Sequence, residues 1–138
     1  MLFTKSTAYA LQALIELSTY EKPVDVNTLS EKTEIPKPFL AKLLQNLSKK
    51  NIIKSYKGIH GGFLLTKKPE DIKILDIFKT IEDKDSLVFY CSSNAENCTR
   101  QRSAVCSTIP FFTILENEIE KIIEKYTLAD VIRIKPDK

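Results

Sequence analysis

PKPFLAKLLQNLSKKNIIKSYKGIHGGFLL, residues 36–65, changes its hydrophobic period halfway along. Phe39, Leu40, Leu43, Leu44 and Leu47 share one stripe at helical spacing, so the first half reads as a helix with lysines on its other face. Pro36 and Pro38 stand where that helix begins, positions at which a missing N–H costs nothing. Asn51 follows its end, where a left-handed residue is wanted and Asn tolerates the conformation. From Ile52 onward the pattern is that of two short strands, Ile52–Ile53 opening one and Phe63–Leu65 forming the other. Gly58, Gly61 and Gly62 between them supply the backbone freedom of a tight or bulged turn.

The same stretch is where the charge sits. Residues 35–69 hold eight lysines (37, 42, 49, 50, 54, 57, 67 and 68) and neither Asp nor Glu, so they carry +8 while the whole chain carries +3 and the remainder −5. Positive charge concentrated on one supersecondary unit is the electrostatic footprint of a polyanion partner, a stronger indication than a solvated lysine face on an ordinary domain.

Upstream, residues 6–20 (STAYALQALIELSTY) read as a first helix with Ala10, Leu11, Leu14, Ile15 and Leu17 on its apolar face. Lys22-Pro23 ends it. Asp25 is placed to cap a second helix running to about Thr33, with Val26 and Leu29 pointing inward. Two helices joined by a tight turn and followed by a basic hairpin make a winged helix-turn-helix, whose last helix enters the major groove of duplex DNA while the wing lies along the backbone or minor groove. On that helix Lys37, Ala41, Lys42, Gln45 and Asn46 are the exposed groups. Gln45 and Asn46 can pair with adenine edges, and the lysines with guanine or phosphate.

Downstream, residues 74–82 (ILDIFKTIE) have Ile74, Ile77, Phe78 and Ile81 on one side of a fourth helix. A connector over 83–90 leads to CSSNAENCTRQRSAVC, residues 91–106, a polar segment that contains all three cysteines. From Pro110 to Tyr126 a long helix is expected. Phe112, Leu115, Ile119, Ile122 and Tyr126 repeat at 3, 4, 3 and 4, which is a coiled-coil seam, and Phe111, Ile114 and Ile123 widen the apolar surface. Such a helix packs on its own core and on a partner chain, so a homodimer is expected through that seam. T-L-A-D at 127–130 has capping-box spacing and starts a last short helix through Val131 and Ile132. The expected architecture is therefore mostly α with a small β-hairpin wing: a winged helix-turn-helix DNA-binding domain over 1–82, a cysteine-bearing sensor loop over 83–107, and a dimerisation helix with the C-terminal segment over 108–138.

Bulk composition excludes several classes. With 138 residues, 43% hydrophobic and 28% charged, the chain is one globular domain, or one small domain with an attached helix, and not a disordered one. Gln12 and Glu16 interrupt the N-terminal apolar run, so no export signal is expected, and no run approaches the roughly 18 apolar residues of a membrane span. A cytoplasmic protein without a membrane partner is expected. An enzyme is disfavoured, because there is no phosphate-binding glycine loop and no second His to serve a nucleophile.

Three cysteines in a reducing compartment point to thiols, a metal or redox chemistry and not to a disulfide framework. Thiolates bind soft metals and iron-sulfur clusters, and three within 16 residues can converge on one inorganic centre. The spacing C-x6-C-x7-C lacks the short pair of a structural zinc site, so zinc is disfavoured. Arg100 and Arg102 can offset the negative charge of a thiolate-ligated cluster. Three unrelated thiols remain the bland alternative.

Over essentially its whole length the sequence resembles the Rrf-two family of bacterial winged-helix regulators, with IscR-, NsrR- and CymR-like members. The likeness rests on MLFTKSTAYALQAL, IPKPFLAKLL, the wing SYKGIHGGFLL, the three cysteines and the T-L-A-D after the long helix. It implies a homodimer that binds a pseudo-palindromic double-stranded DNA operator, with Lys37, Lys42 and Gln45 as helix contacts and Lys57 and Gly58 at the wing tip. It also implies Cys91, Cys98 and Cys106 as ligands of an iron-sulfur cluster, 2Fe–2S or 4Fe–4S, near the dimer interface. Two departures leave the fourth ligand open: Ile109 stands where IscR-like members have a ligating His, and Ala8 where NsrR-like members offer an Asp. Gln12, Glu96, Ser107, a partner side chain, a small thiol and solvent are the candidates. His60 lies on the wing, where a solvent-facing turn or a phosphate contact suits it better than ligation. The alternative within the same fold is a cluster-free regulator controlled by thiol oxidation or by a protein partner.

Overall fold

The computed structural model describes residues 3–82 and 106–136. Six α-helices and one hairpin are found among them: α1 (Lys5–Leu17), α2 (Val26–Thr33), α3 (Lys37–Lys49), β1 (Ile53–Tyr56), β2 (Gly62–Leu65), α4 (Ile74–Glu82), α5 (Ile109–Ile123) and α6 (Leu128–Arg133). A single 3-10 turn, Pro69–Asp71, leads into α4. The fold is mostly helical with a two-stranded antiparallel wing, as the change of period predicts.

One core serves all of these elements. Leu14 and Leu17 of α1, Leu29 of α2, Leu40, Leu44 and Leu47 of α3 and Ile77 of α4 are fully buried together with Leu128 of α6. Each such side chain contributes about 1.5–3 kcal/mol relative to exposure. The C-terminal residues therefore complete the core of the winged helix. Their attachment is also main-chain: Ile74 N–H donates to the Tyr126 carbonyl at 3.1 Å, and Leu128 N–H donates to the Ile72 carbonyl at 2.8 Å. Thr127 and Asp130 form both halves of the capping box at the head of α6.

The helix ends follow local chemistry. Asp25 caps α2 by accepting from Thr28 N–H at 3.3 Å. α3 ends in a Schellman motif: Ile52 N–H reaches the Leu47 carbonyl at 3.1 Å, Asn51 N–H reaches Ser48 at 3.0 Å, and Asn51 takes the left-handed conformation with φ 59°. α1 stops at Leu17, earlier than the spacing predicts, because the Ser18 and Thr19 hydroxyls take the Ile15 and Glu16 carbonyls. α5 likewise stops at Ile123, where the chain tightens to i→i+3 bonds, Lys125 N–H to the Ile122 carbonyl at 3.3 Å and Tyr126 N–H to the Ile123 carbonyl at 3.0 Å.

Phe39 departs from its expected place. It is 41% exposed and packs edge-on against Tyr9, ring centroids 5.5 Å apart, instead of joining the buried leucine stripe. Two turns of α3 suffice to fill the space above α1 and α2 with Leu40, Leu43, Leu44 and Leu47. The connector 83–90 and the cysteines Cys91 and Cys98 lie outside the described residues. Among those described, no helix is long and apolar enough to cross a membrane.

Candidate nucleic-acid interface

With Leu40, Leu43, Leu44 and Leu47 turned to the core, the opposite stripe of α3 is fixed by geometry. Pro38, Lys42, Gln45 and Lys49, at spacings of 4, 3 and 4, are all exposed along it. Lys37, the first residue of α3, is exposed at its head. Ala41 and Asn46 flank the stripe and are half-buried, so Asn46 is less available than its position in the sequence suggests.

The turn that sets α3 against α2 is made by Glu34, which takes φ 59° without being glycine. The Ile35 carbonyl accepts from the Ser30 hydroxyl at 2.6 Å, which fastens that turn. Glu34 carries no sequence signal of this role, because nothing in its side chain announces the conformation.

The hairpin pairs Ile53 with Leu65 and Tyr56 with Gly62, leaving residues 57–61 as the wing tip. Lys57, Gly58 and His60 all stand exposed there. Gly58 has φ +103°, and the Gly61 N–H closes the turn onto the Gly58 carbonyl at 3.0 Å. Val24, in the segment before α2, pairs with Phe63 as a short third edge of the hairpin. The wing is thus held by main-chain bonds to the start of the helix-turn-helix.

All eight lysines of residues 35–69 are exposed, and the ion pairs among the described residues lie elsewhere, at Lys79–Glu120, Lys121–Glu118 and Arg133–Asp130. Among the described residues, then, no ion pair ties down the lysines of α3 and the wing. Lys54 lies over the Tyr56 ring, 5.2 Å from its centroid. The Asp25 carboxyl is held below its ordinary pKa, first by the hydrogen bond with Thr28 and, least of all, by the charge of Lys37. An exposed cationic stripe one helix long beside a protruding basic hairpin is complementary to two adjacent grooves of a polyanionic duplex.

The family model described as Rrf2, Iron-dependent Transcriptional regulator, matches residues 3–134. The chain belongs to the Rrf2 family. It is 29% identical over 140 residues to the HTH-type transcriptional regulator NsrR of Bacillus subtilis, covering 99% of this chain and 94% of that one. Among solved structures it is similar to T. potens IscR, with a TM-score of 0.70, 24% identity and 98% and 93% of the two chains covered. It is equally similar to CymR (YrzC), the Global Cysteine Regulator of B. subtilis, with a TM-score of 0.70, 20% identity and 97% and 98% covered. These two likenesses speak to the fold, which is that of winged-helix Rrf2 regulators. This Rrf2 protein is accordingly a transcription regulator with a DNA-binding winged helix, and not an enzyme.

Two further sets of predicted residues remain. Cys106 is half-buried just ahead of α5, with its Sγ 3.2 Å from the Thr108 hydroxyl. No group of three His, Cys, Asp or Glu side chains among the described residues could hold a metal ion. On α5 the expected seam is split. Ile119 packs on the chain's own core beside the buried Ile123, Phe112 and Leu115 are half-buried, and Ile122 and Tyr126 are exposed. Phe111 and Ile114 join Ile122 on the open side.

Proposed function

We propose that this Rrf2 regulator acts in the cytoplasm as a homodimer on a pseudo-palindromic operator, most simply as a repressor. In this reading α3 of each protomer occupies a major groove, with Lys37, Lys42 and Gln45 as contacts and Asn46 at the margin. Lys57, Gly58 and His60 of the wing follow the adjoining backbone or minor groove. The observation that carries it is the exposed stripe of Lys42, Gln45 and Lys49 on α3 beside an equally basic wing. Two such stripes related by a two-fold axis suit two half-sites one helical turn apart. The second chain is supplied by the open side of α5.

In the same reading Cys91, Cys98 and Cys106 hold an iron-sulfur cluster. Such a cluster would supply redox-sensitive and damage-sensitive chemistry. The position of Cys106 supports this, because the N-terminal end of α5 carries partial positive charge favourable to thiolates or to an anionic cluster. Ile109, half-buried as the first residue of α5, offers no ligating atom, which favours a second reading in which thiol oxidation replaces the cluster.

The test has two arms. Operator duplexes are selected from a random pool, and their affinity is followed against salt. Neutralisation of about six phosphates predicts a slope of log K on log salt near −5, and a flat dependence would remove the DNA-reading role. Oxygen-free protein is then assayed for iron, sulfide and visible absorbance. A coloured protein bleached by Cys→Ser at any of the three positions supports the cluster, and a colourless one with normal operator binding supports the thiol switch.

A further inference from the structure

The first turn of α1 lacks a cap of its own. Thr4 is its N-cap residue, yet the Thr4 side chain makes no capping bond to that helix. The missing acceptor comes from 78 residues further along the chain. Oε1 of Glu82, the last residue of α4, accepts from Thr4 N–H at 3.0 Å, from the Thr4 hydroxyl at 2.6 Å and from the Thr7 hydroxyl. One turn earlier on α4, the Phe78 ring packs at a tilt of 46° against Phe3, ring centroids 4.8 Å apart. Two successive turns of one helix therefore grip the head of another.

This junction joins the two helix ends by a charged acceptor and a ring contact. A carboxylate receiving three donors at a helix N-terminus benefits from charge-assisted bonds and from the helix dipole. Thr7 is 3% exposed, so withdrawing Glu82 would deprive a buried hydroxyl of its acceptor, which is costly. On one side of the junction α1 carries α2 and α3 through Ala10, Ala13, Leu14 and Leu17. On the other, Glu82 is the last residue before the segment that leads to Cys91, nine positions on.

We infer that Glu82 is the positioning residue through which the cysteine segment acts on the DNA-reading helices. With Glu82 engaged, α1 is capped and α3 is presented in one orientation. When a change at the cysteines draws Glu82 away, α1 loses its external cap and the support of α3 shifts. The inference rests on the switch proposed above and names the residue that transmits it. A two-state element biased from both ends is what coupling between two sites requires.

The experiment measures operator Kd for one protein in its two sensor states, loaded against chelator-stripped, or reduced against diamide-oxidised. The wild-type ratio of the two is expected to be at least about 10. In Glu82→Gln the ratio falls below about 2 while the salt dependence of binding is unchanged, which a merely destabilising substitution does not produce. Thr7→Ser, which keeps the hydroxyl, retains the wild-type ratio, whereas Thr7→Val loses it; this pair decides the matter should Glu82→Gln not fold. A wild-type ratio retained by both Glu82→Gln and Thr7→Val overturns the inference alone. A wild-type ratio of one with operator binding intact overturns the switch itself and this inference with it.

Discussion

The main chains of Val24 and Phe63 exchange two hydrogen bonds, each N–H donating to the other's carbonyl at 2.9 and 2.8 Å. Gly62 lies against this exchange. A Cβ on Gly62 would stand 2.3 Å from the Val24 carbonyl oxygen, and its φ of +147° is one that other residues rarely adopt. Gly62→Ala is therefore expected to destabilise by about 2 kcal/mol or more and to free the wing from the helix-turn-helix. Gly58 is the control. Its φ of +103° is strained for alanine, but nothing lies within 4 Å, so Gly58→Ala costs only about 1 kcal/mol of backbone strain. Urea unfolding of the two variants separates the clash from the strain. Equal losses would remove the assigned role of the Val24 pairing.

At the head of α6, Asp130 accepts from Thr127 N–H at 2.8 Å and from the Thr127 hydroxyl at 3.1 Å. These bonds, the main-chain one first, hold its carboxyl below the usual carboxylate range, with Arg133 adding a smaller charge effect. A depressed folded-state pKa contributes stability that is fully present above the unfolded value of about 3.9 and is lost as pH falls through the folded one. Wild type is thus expected to melt higher than Asp130→Asn at pH 6, and the gap in Tm is expected to close as pH is lowered toward 2. A gap independent of pH would mean that the carboxylate charge is not what stabilises the cap. Thr127→Ala, which removes the capping hydroxyl and with it one of the bonds to the Asp130 carboxylate, costs about 1 kcal/mol at pH 6 and less as Asp130 is protonated.

On the reading helix, Lys42 and Gln45 are neighbours on one exposed stripe but are expected to fail differently. Lys42→Ala weakens binding to all duplexes alike and lowers the salt slope by about 1. Gln45→Ala leaves the slope intact and costs about 1–3 kcal/mol only against the preferred operator, relaxing choice at one base pair. Competitive titration of selected and scrambled duplexes distinguishes the two. A base-specific loss at Lys42 with a uniform one at Gln45 would exchange the two roles.

What the sequence made legible was local. Asp25, Asn51 and T-L-A-D each act on backbone groups within a few residues, so their roles follow from side-chain chemistry alone. The leucine stripe of α3 fixed its exposed face by exclusion. Other features depend on partners far along the chain. Phe39 belongs to the apolar stripe by spacing, and only the room left by α1 and α2 pushes it outward onto Tyr9. Glu82 looks like an ordinary helix-end carboxylate, and its role comes from Thr4 and Thr7, more than seventy positions away. Val24 pairs with Phe63 through its main chain, to which side-chain periodicity is blind.

The seam on α5 shows how one periodicity can serve two surfaces. An ideal helix turns 100° per residue, so Ile119 and Ile123 face one way and Phe111, Ile114 and Ile122 another. The first pair is taken by the chain's own core, while the second group is 61, 63 and 54% exposed, an apolar band along one side of a surface helix. If that band joins two protomers, Ile114→Glu with Ile122→Glu is expected to give a monomer by light scattering, with a Tm within about 2–4 °C of wild type because both positions lie outside the core. Operator affinity then falls about 100-fold, since two linked half-site contacts become one, whereas affinity for an isolated half-site is unchanged. Should the double variant stay dimeric, the protomers must meet elsewhere, and the half-buried Phe112 and Leu115 become the next residues to charge.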